Sequence, residues 1–352
     1  MSTTDTVSFG VVGTRGWGNQ HLTDALRNPL VQLHAICDKD VDAARAFADK
    51  HQIEHVFGDY REMLDAADLD AISIATPHHL HHPIALAALN SGKHVFCEKP
   101  FTTAGRQARE LVAAAEEAGV VLACDYNLRM NLGVRALRRL VAEGALGDVY
   151  HARGRFLARW TGFMFNPNSG WRSQPEQAGG GILIGRGSHM IDALLFMLGG
   201  PKVASVYARC HNRLTGFAVE DLASCTMTLA SGASIDLEVS YVVHEPDHPD
   251  QSTWVLHGTE AGASFTNRGV VKDTGTLTVG RCDLNTGKWQ PIDRSYPTEE
   301  RPTTETLLSD FVESITTGRA PLAPGDQAAT VLEVVEAAYA SARSGEVVHL
   351  NR

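Results

Sequence analysis

The chain has 352 residues, 43 % hydrophobic and 20 % charged, without low-complexity blocks or solenoid repeats; this excludes a disordered or repeat protein and predicts two domains. A formal charge of −10, from 31 basic and 41 acidic side chains, opposes a phosphate backbone and excludes nucleic acid held by bulk electrostatics. The opening MSTTDTVSFGVVG lacks a signal peptide's basic and long apolar parts, no apolar run reaches membrane-span length, and Cys37, Cys97, Cys124, Cys210, Cys225 and Cys282 lack CxxC spacing, so a cytoplasmic protein with reduced thiols is expected.

Over residues 1–124, short apolar runs alternate with helical patterns. VSFGVVG leads to a helix over about 18–28, VQLHAICD to one over about 41–51, and AISIAT to one over about 79–91; HVFCEK then leads to one over about 103–118, before VVLACD. Continuous apolar strands alternating with helices predict a Rossmann-type, doubly wound parallel sheet covered on both faces. Residues 125–352 read differently. Helices over about 131–143 and 187–198 frame a loop rich in Trp, Gly, Pro and Asn; VASVYARCH, DLASCTMTLA, ASIDLEVSYVV and STWVLHG then alternate with period two, before helices over about 303–317 and 325–343. These predict an α+β domain with a large, mostly antiparallel open sheet that binds substrate and mediates oligomerisation.

FGVVGTRGWGNQH follows the first strand and opens a helix, the setting in which a glycine pattern binds a dinucleotide. Gly13 permits the tight turn and Gly18 close helix packing, while Thr14, Arg15, Gly16 and Trp17 complete a loop whose N–H groups would face a pyrophosphate. Arg15 stands where the middle glycine of G-x-G-x-x-G is usual; it either supplies charge to the pyrophosphate or points to solvent. Asp38 closes the second strand, where a carboxylate accepts ribose hydroxyls and repels a 2′-phosphate, favouring NAD over NADP. Lys39 beside it is a cation that would tolerate such a phosphate.

With ATPHHLHHPIALAALNSGKHVFCEKPF the chain resembles the Gfo/Idh/MocA family of nicotinamide-dependent sugar and polyol oxidoreductases. The resemblance is carried also by the glycine loop, WRSQPEQAGGGILIGRGSHMID at 171–192 and the closing AAYASARSGEVVHL. It implies that Thr76, Pro77, His81 and Glu98 lie near the cofactor, that Lys99 is the catalytic lysine and that His189 is a general acid or base, with Asp192 following in its helix. It further implies that Asn127 and Arg129 face the cofactor, Tyr126 faces substrate, and Trp171 and Arg172 lie near the nicotinamide. The family's catalytic aspartate position is Gly185 here, one helical turn before His189. Arg186 does not simply replace that acid, since one residue turns a side chain by about 100° around an α-helix.

The reaction implied is hydride transfer between a secondary carbinol of a sugar, inositol or sugar derivative and the nicotinamide, with Lys99 and His189 managing the proton. Arg159, Arg172 and Arg186 suggest an anionic substrate, and His244 follows an interior-strand pattern that could aim it at substrate. HHLHH at 78–82 and HEPDH at 244–248 offer imidazoles without a defined tetrahedral set, so no metal is expected. Two other functions compete: a hydrolase that retains NAD and cleaves glycosides through transient oxidation, and a dinucleotide-binding sensor without catalysis. One uncovered face of an antiparallel sheet predicts a homodimer or homotetramer.

Overall fold

The computed structural model describes residues 6–66, 68–158, 167–244, 251–268, 275–292 and 305–350. By contacts the chain divides into a first unit, residues 1–127 with 302–332, and a second, residues 128–301 with 333–352. The segment 302–332, which sequence patterning grouped with the second domain, packs with the first.

The first unit is built on a parallel six-stranded sheet of order β3-β2-β1-β4-β5-β6. The strands are β1 Val7–Val12, β2 Val31–Cys37, β3 His55–Phe57, β4 Ala71–Ile74, β5 His94–Cys97 and β6 Leu122–Cys124. This is the doubly wound order, in which ligands bind beyond the carboxyl ends of the strands where the winding reverses, here between β1 and β4. Phe9, Val11, Ile72, Ile74, Val95 and Phe96 are all buried, because helices cover both faces. The helices are α1 Trp17–Arg27, α2 Val41–His51, α3 Tyr60–Ala66, α4 His81–Asn90 and α5 Gly105–Ala118. β3 and α3 were not expected from sequence: three residues of strand and seven of helix are too short to show a period.

A later helix, α9 Leu307–Thr317, returns to this unit because its apolar face covers α1 and β5. Phe311 stacks on Phe96 with ring centroids 5.5 Å apart, and Cys124 N–H donates to Ala323 O at 3.0 Å. Hydrophobic pattern reveals that a helix has an apolar face but not which sheet that face meets.

The second unit carries a nine-stranded sheet of order β14-β13-β12-β11-β7-β10-β9-β8-β15. Its strands are β7 Val149–Leu157, β8 Val203–His211, β9 Leu222–Leu229, β10 Ser234–Ser240, β11 Gln251–Gly258, β12 Gly262–Arg268, β13 Gly275–Cys282, β14 Trp289–Pro291 and β15 Val348–His349. The β7–β10 pair is parallel and the others antiparallel. Burial alternates along β9 and β10, matching the period-two reading. Helix α6 Leu132–Ala142 starts at Asn131, whose side chain accepts from Gly133 N–H and Val134 N–H as an N-cap. A short α7, Pro175–Ala178, precedes α8, Ser188–Met197, and α10 runs from Gly325 to Ser344. Every residue of α8 is buried, as expected of a segment apolar on nearly all sides. All six cysteines are free thiols, and Cys97 is fully buried, with burial pushing its pKa well up. No helix among the described residues is long and apolar enough to cross a membrane.

Candidate functional site

Four of the predicted motifs lie at carboxyl ends of strands in the first unit. After β1, Gly13 adopts φ +90°, and a Cβ there would stand 2.6 Å from Ala75 O. A Cβ on Gly18 would collide with Gly13 O, so both glycines are required for α1 to start this close to the sheet. The α1 N-terminus has no side-chain cap and no acid in its first turn, leaving N–H groups that suit an anion. After β2, Asp38 Oδ2 accepts from Thr14 N–H at 2.8 Å and from its hydroxyl at 2.9 Å, while Oδ1 accepts from Asp40 N–H at 3.0 Å. The glycine turn thus aims the acid. Arg15 pairs with Asp40 at the exposed rim, Lys39 is exposed, and Trp17 is 39 % exposed.

After β4, Thr76 and Pro77 lead through a tight turn, His78–Leu80, into α4. His81 is fully buried and its nitrogens face two carbonyls, Nδ1 at 2.8 Å from Pro100 O and Nε2 at 2.9 Å from Thr76 O. Burial pushes its pKa down to about 4, so the neutral ring donates to one carbonyl at a time. His81 therefore braces the turn holding Thr76 against the one after β5, rather than presenting an imidazole edge to a cofactor. His82 Nε2 contacts Glu110 Oε2 at 3.0 Å.

After β5 comes Glu98, buried, then half-buried Lys99, joined to Pro100 by a cis peptide bond. Glu98 Oε2 accepts from the Lys99 N–H at 3.0 Å, and its Oε1 faces His21 Nε2 at 3.4 Å. His21, on α1, also faces Asp125 Oδ2 at 3.5 Å. These are charge pairs rather than close hydrogen bonds. Burial alone would lower the His21 pKa, but Asp125 and Glu98 outweigh it and raise it to about 9. Burial, then the Glu98 charge, raises Asp125 to about 6. Sequence reading missed this triad because its members lie far apart in the chain; His21 and Glu98 each fall in a motif it used, but nothing in either motif points to the other or to Asp125. The ligand atoms of His21, Glu98 and Asp125 lie within 4.8 Å of one another, as do those of His34, Glu54 and His55. Neither group draws on HHLHH, and most of HEPDH lies outside the described residues.

Tyr126 is fully buried and Asn127 half-buried at the end of the first unit. In the second, Arg129 is 2 % exposed and directs its fork at Asp192 on α8. Arg129 Nε donates to Asp192 Oδ2 at 2.9 Å and Nη2 to Oδ1 at 2.5 Å, so the arginine expected at the cofactor anchors the helix that carries His189. His189 is buried on that helix. Trp171 and Arg172 are half-buried, with the guanidinium 4.2 Å from the indole centroid. Arg159 lies outside the described residues, and His244 is exposed.

The helix expected to begin near residue 187 is preceded by a π-turn over Leu183–Gly187. The wider turn breaks the α-helical spacing assumed between Gly185 and His189. Glu220 shapes the approach to it: its carboxylate accepts from Gly181 N–H and Leu183 N–H, each at 2.9 Å, and from Tyr339 hydroxyl at 2.8 Å. A Cβ on Gly185 would collide with the hydroxyl of Tyr241, so this phenol fills the space where the family's acid would start. Burial keeps Tyr241 neutral by raising its pKa; the charges bearing on it are Glu220, Arg172 and Arg186. Neither Tyr241 nor Glu220 carried a sequence signal.

Two family models match. A model of an oxidoreductase family with an NAD-binding Rossmann fold covers residues 7–126, and one of a GFO/IDH/MocA C-terminal domain covers residues 134–264. Among curated proteins, the D-glucoside 3-dehydrogenase of Escherichia coli is 29 % identical over 92 % of this chain and 91 % of its own length. The 1,5-anhydro-D-fructose reductase of Ensifer adhaerens is 28 % identical over 96 % of this chain and 98 % of its own. A levoglucosan dehydrogenase structure with NADH and levoglucosan shares the fold at TM-score 0.85 and 24 % identity, covering 99 % of this chain and 100 % of that one. With two models of one family matched in succession over residues 7–264, the chain belongs to the GFO/IDH/MocA family of oxidoreductases and carries its NAD-binding Rossmann domain.

Proposed function

We propose that this oxidoreductase moves a hydride between NAD and a secondary hydroxyl of a sugar, inositol or sugar derivative. The observation that carries the reading is the gathering of the glycine turn, Asp38, Thr76 and Lys99 beyond the carboxyl ends of adjacent parallel strands. The residues present fit the dinucleotide. Gly13 and Gly18 let α1 start close against the sheet, Gly16 leaves open space beside the uncapped α1 N-terminus where a pyrophosphate fits, and the aimed Asp38 carboxylate suits ribose hydroxyls. When bound, the nicotinamide supplies the hydride acceptor or donor. His189 takes the substrate's hydroxyl proton, a task suited to an imidazole, which exchanges protons near neutrality. The Lys99 ammonium donates to the same oxygen and stabilises the negative charge that develops there. Sugar dehydrogenase and reductase names among the relatives support a carbohydrate substrate. The homodimer or homotetramer expected from sequence belongs to the same proposal and is read by sedimentation.

The test is a panel of sugars and aryl glycosides monitored by nicotinamide absorbance and aglycone release. Net accumulation of reduced cofactor supports the dehydrogenase; aglycone release without net reduction would establish the retained-cofactor hydrolase instead. Lys99→Met and His189→Asn should each lower kcat about 10²- to 10⁴-fold while NADH still binds. Full turnover in either variant would remove that residue from the mechanism.

A further inference from the structure

Arg186 is a buried cation with no acid beside it among the described residues. It sits in the π-turn, 7 % exposed, with its guanidinium 4.5 Å from the Phe156 ring centroid. Its hydrogen-bond partner is the Ser252 hydroxyl, 3.3 Å from Nη2, and Nε has none among the described residues. Arg129, also buried in the same unit, shows the contrast, since Asp192 meets it fork to fork. An ion withdrawn from water without a counter-charge costs several kcal/mol. Accordingly, burial lowers the Arg186 pKa to about 10, and the titratable group acting on it is Tyr241 rather than a carboxylate.

The surroundings are rich in donors. Tyr241, neutral and buried, lies against Gly185, and Arg172 also bears on it. The nearby acid, Glu220, already accepts three hydrogen bonds from Gly181, Leu183 and Tyr339. Arg186 lies in the π-turn that leads directly into α8, the helix carrying His189. We propose that Arg186, with the Tyr241 hydroxyl, binds an oxyanion carried by the substrate, a carboxylate or a phosphate, and that this enzyme therefore prefers acidic sugar derivatives to neutral ones. The proposal rests on the sugar oxidoreductase reading and narrows its substrate class. It gives the glycine at 185 a reason: a side chain there would displace the phenol from the guanidinium's neighbourhood.

The test titrates NADH-loaded enzyme calorimetrically with hexuronates, hexose 6-phosphates and the parent hexoses. One acidic class should bind at least about ten-fold tighter than its parent hexose, and which class does so identifies the oxyanion. Arg186→Met should erase that preference, a selective loss on the order of ten- to a hundred-fold. Arg186→Lys should retain part of it. Ligand-free Arg186→Met should melt no lower than wild type, because methionine fills the site without an uncompensated charge. Equal weakening of acidic and neutral sugars, absence of any acidic preference in wild type, or a lowered ligand-free melting point would overturn the proposal. Parallel samples loaded with NAD and followed by nicotinamide absorbance, with aryl glycosides of the same sugars read for aglycone release, separate the two readings: Arg186-dependent binding without turnover would leave the anion site standing and remove the oxidoreductase reading.

Discussion

Replacing His21 with glutamine should destabilise the protein near neutral pH and leave it almost indifferent at pH 10. In the native chain His21 faces two buried carboxylates, at 3.4 Å from Glu98 and 3.5 Å from Asp125, and its pKa rises from 6.5 to about 9. A base whose folded pKa is raised contributes its full stabilisation below the unfolded value and loses it as pH climbs through the folded one. The interval from 6.5 to about 9 converts, at 1.36 kcal/mol per pH unit, to roughly 3 kcal/mol. Asp125 acts in a separate window: burial first, then Glu98, raises it from 3.8 to about 6, so its preference for the protonated native form is lost as pH rises through that interval. The other charges bearing on the cluster are Lys99, which favours ionised Glu98, and Asp24, which His21 itself favours ionised. Both remain in the variant and cancel in the comparison except where they act through His21. Urea unfolding of wild type and His21→Gln, at constant ionic strength in steps from pH 6 to 10, should show a gap on the order of 3 kcal/mol at pH 6.5 that closes by pH 10. A gap of the same size at both ends would mean that His21 acts by packing alone, and the charge argument would fail.

Gly185→Ala should cost about 1–3 kcal/mol by overpacking. The cost should shrink in a Tyr241→Phe background, where the nearest remaining ring atom is Cζ at 3.6 Å; equal costs in both backgrounds, read by denaturation, would refute the contact. Asp192→Asn, by leaving the Arg129 guanidinium buried without its counter-charge, should destabilise by about 3–5 kcal/mol, read as a lowered urea midpoint. Asp38→Ala should cut the kcat/KM ratio for NAD over NADP on the order of ten-fold or more, because it removes both the ribose acceptor and the repulsion of a 2′-phosphate. An unchanged cofactor ratio in steady-state kinetics would remove Asp38 from discrimination.

What the sequence made legible has a common physical character. Gly13 and Gly18, Asp38, Thr76 and Lys99 sit where a strand ends, and their meaning depends on a few residues on either side. A tight turn needs its glycine, and a helix N-terminus follows at fixed distance. The alternation of apolar runs with helical periods likewise gave the parallel sheet, because burial on both faces imposes its own pattern. What stayed hidden depends on partners remote in the chain. Arg129 reads as a cofactor ligand until Asp192, 63 positions away, closes on its fork. Helix α9 reads as part of the second domain until Phe311 meets Phe96. Even the spacing argument at Gly185 failed for a local reason with a distant cause, since the π-turn is shaped by Glu220 and Tyr339.

The departure at Gly185 therefore cannot be read as a simple deletion of function. A carboxylate lost from a buried turn would leave room for water; here the Tyr241 phenol occupies that room. The exchange also changes sign. An acid at 185 would bring negative charge close to the adjoining Arg186, whereas a neutral phenol leaves the guanidinium's charge uncompensated within the described residues. Gly185, Arg186 and Tyr241 thus act together: the glycine admits the phenol, and the phenol rather than an acid is the titratable group that bears on the guanidinium. Such a turn leaves in place Lys99 and His189, the proton-handling residues that the family resemblance implies, and the proposed anion site would add to them a demand for an acidic substrate.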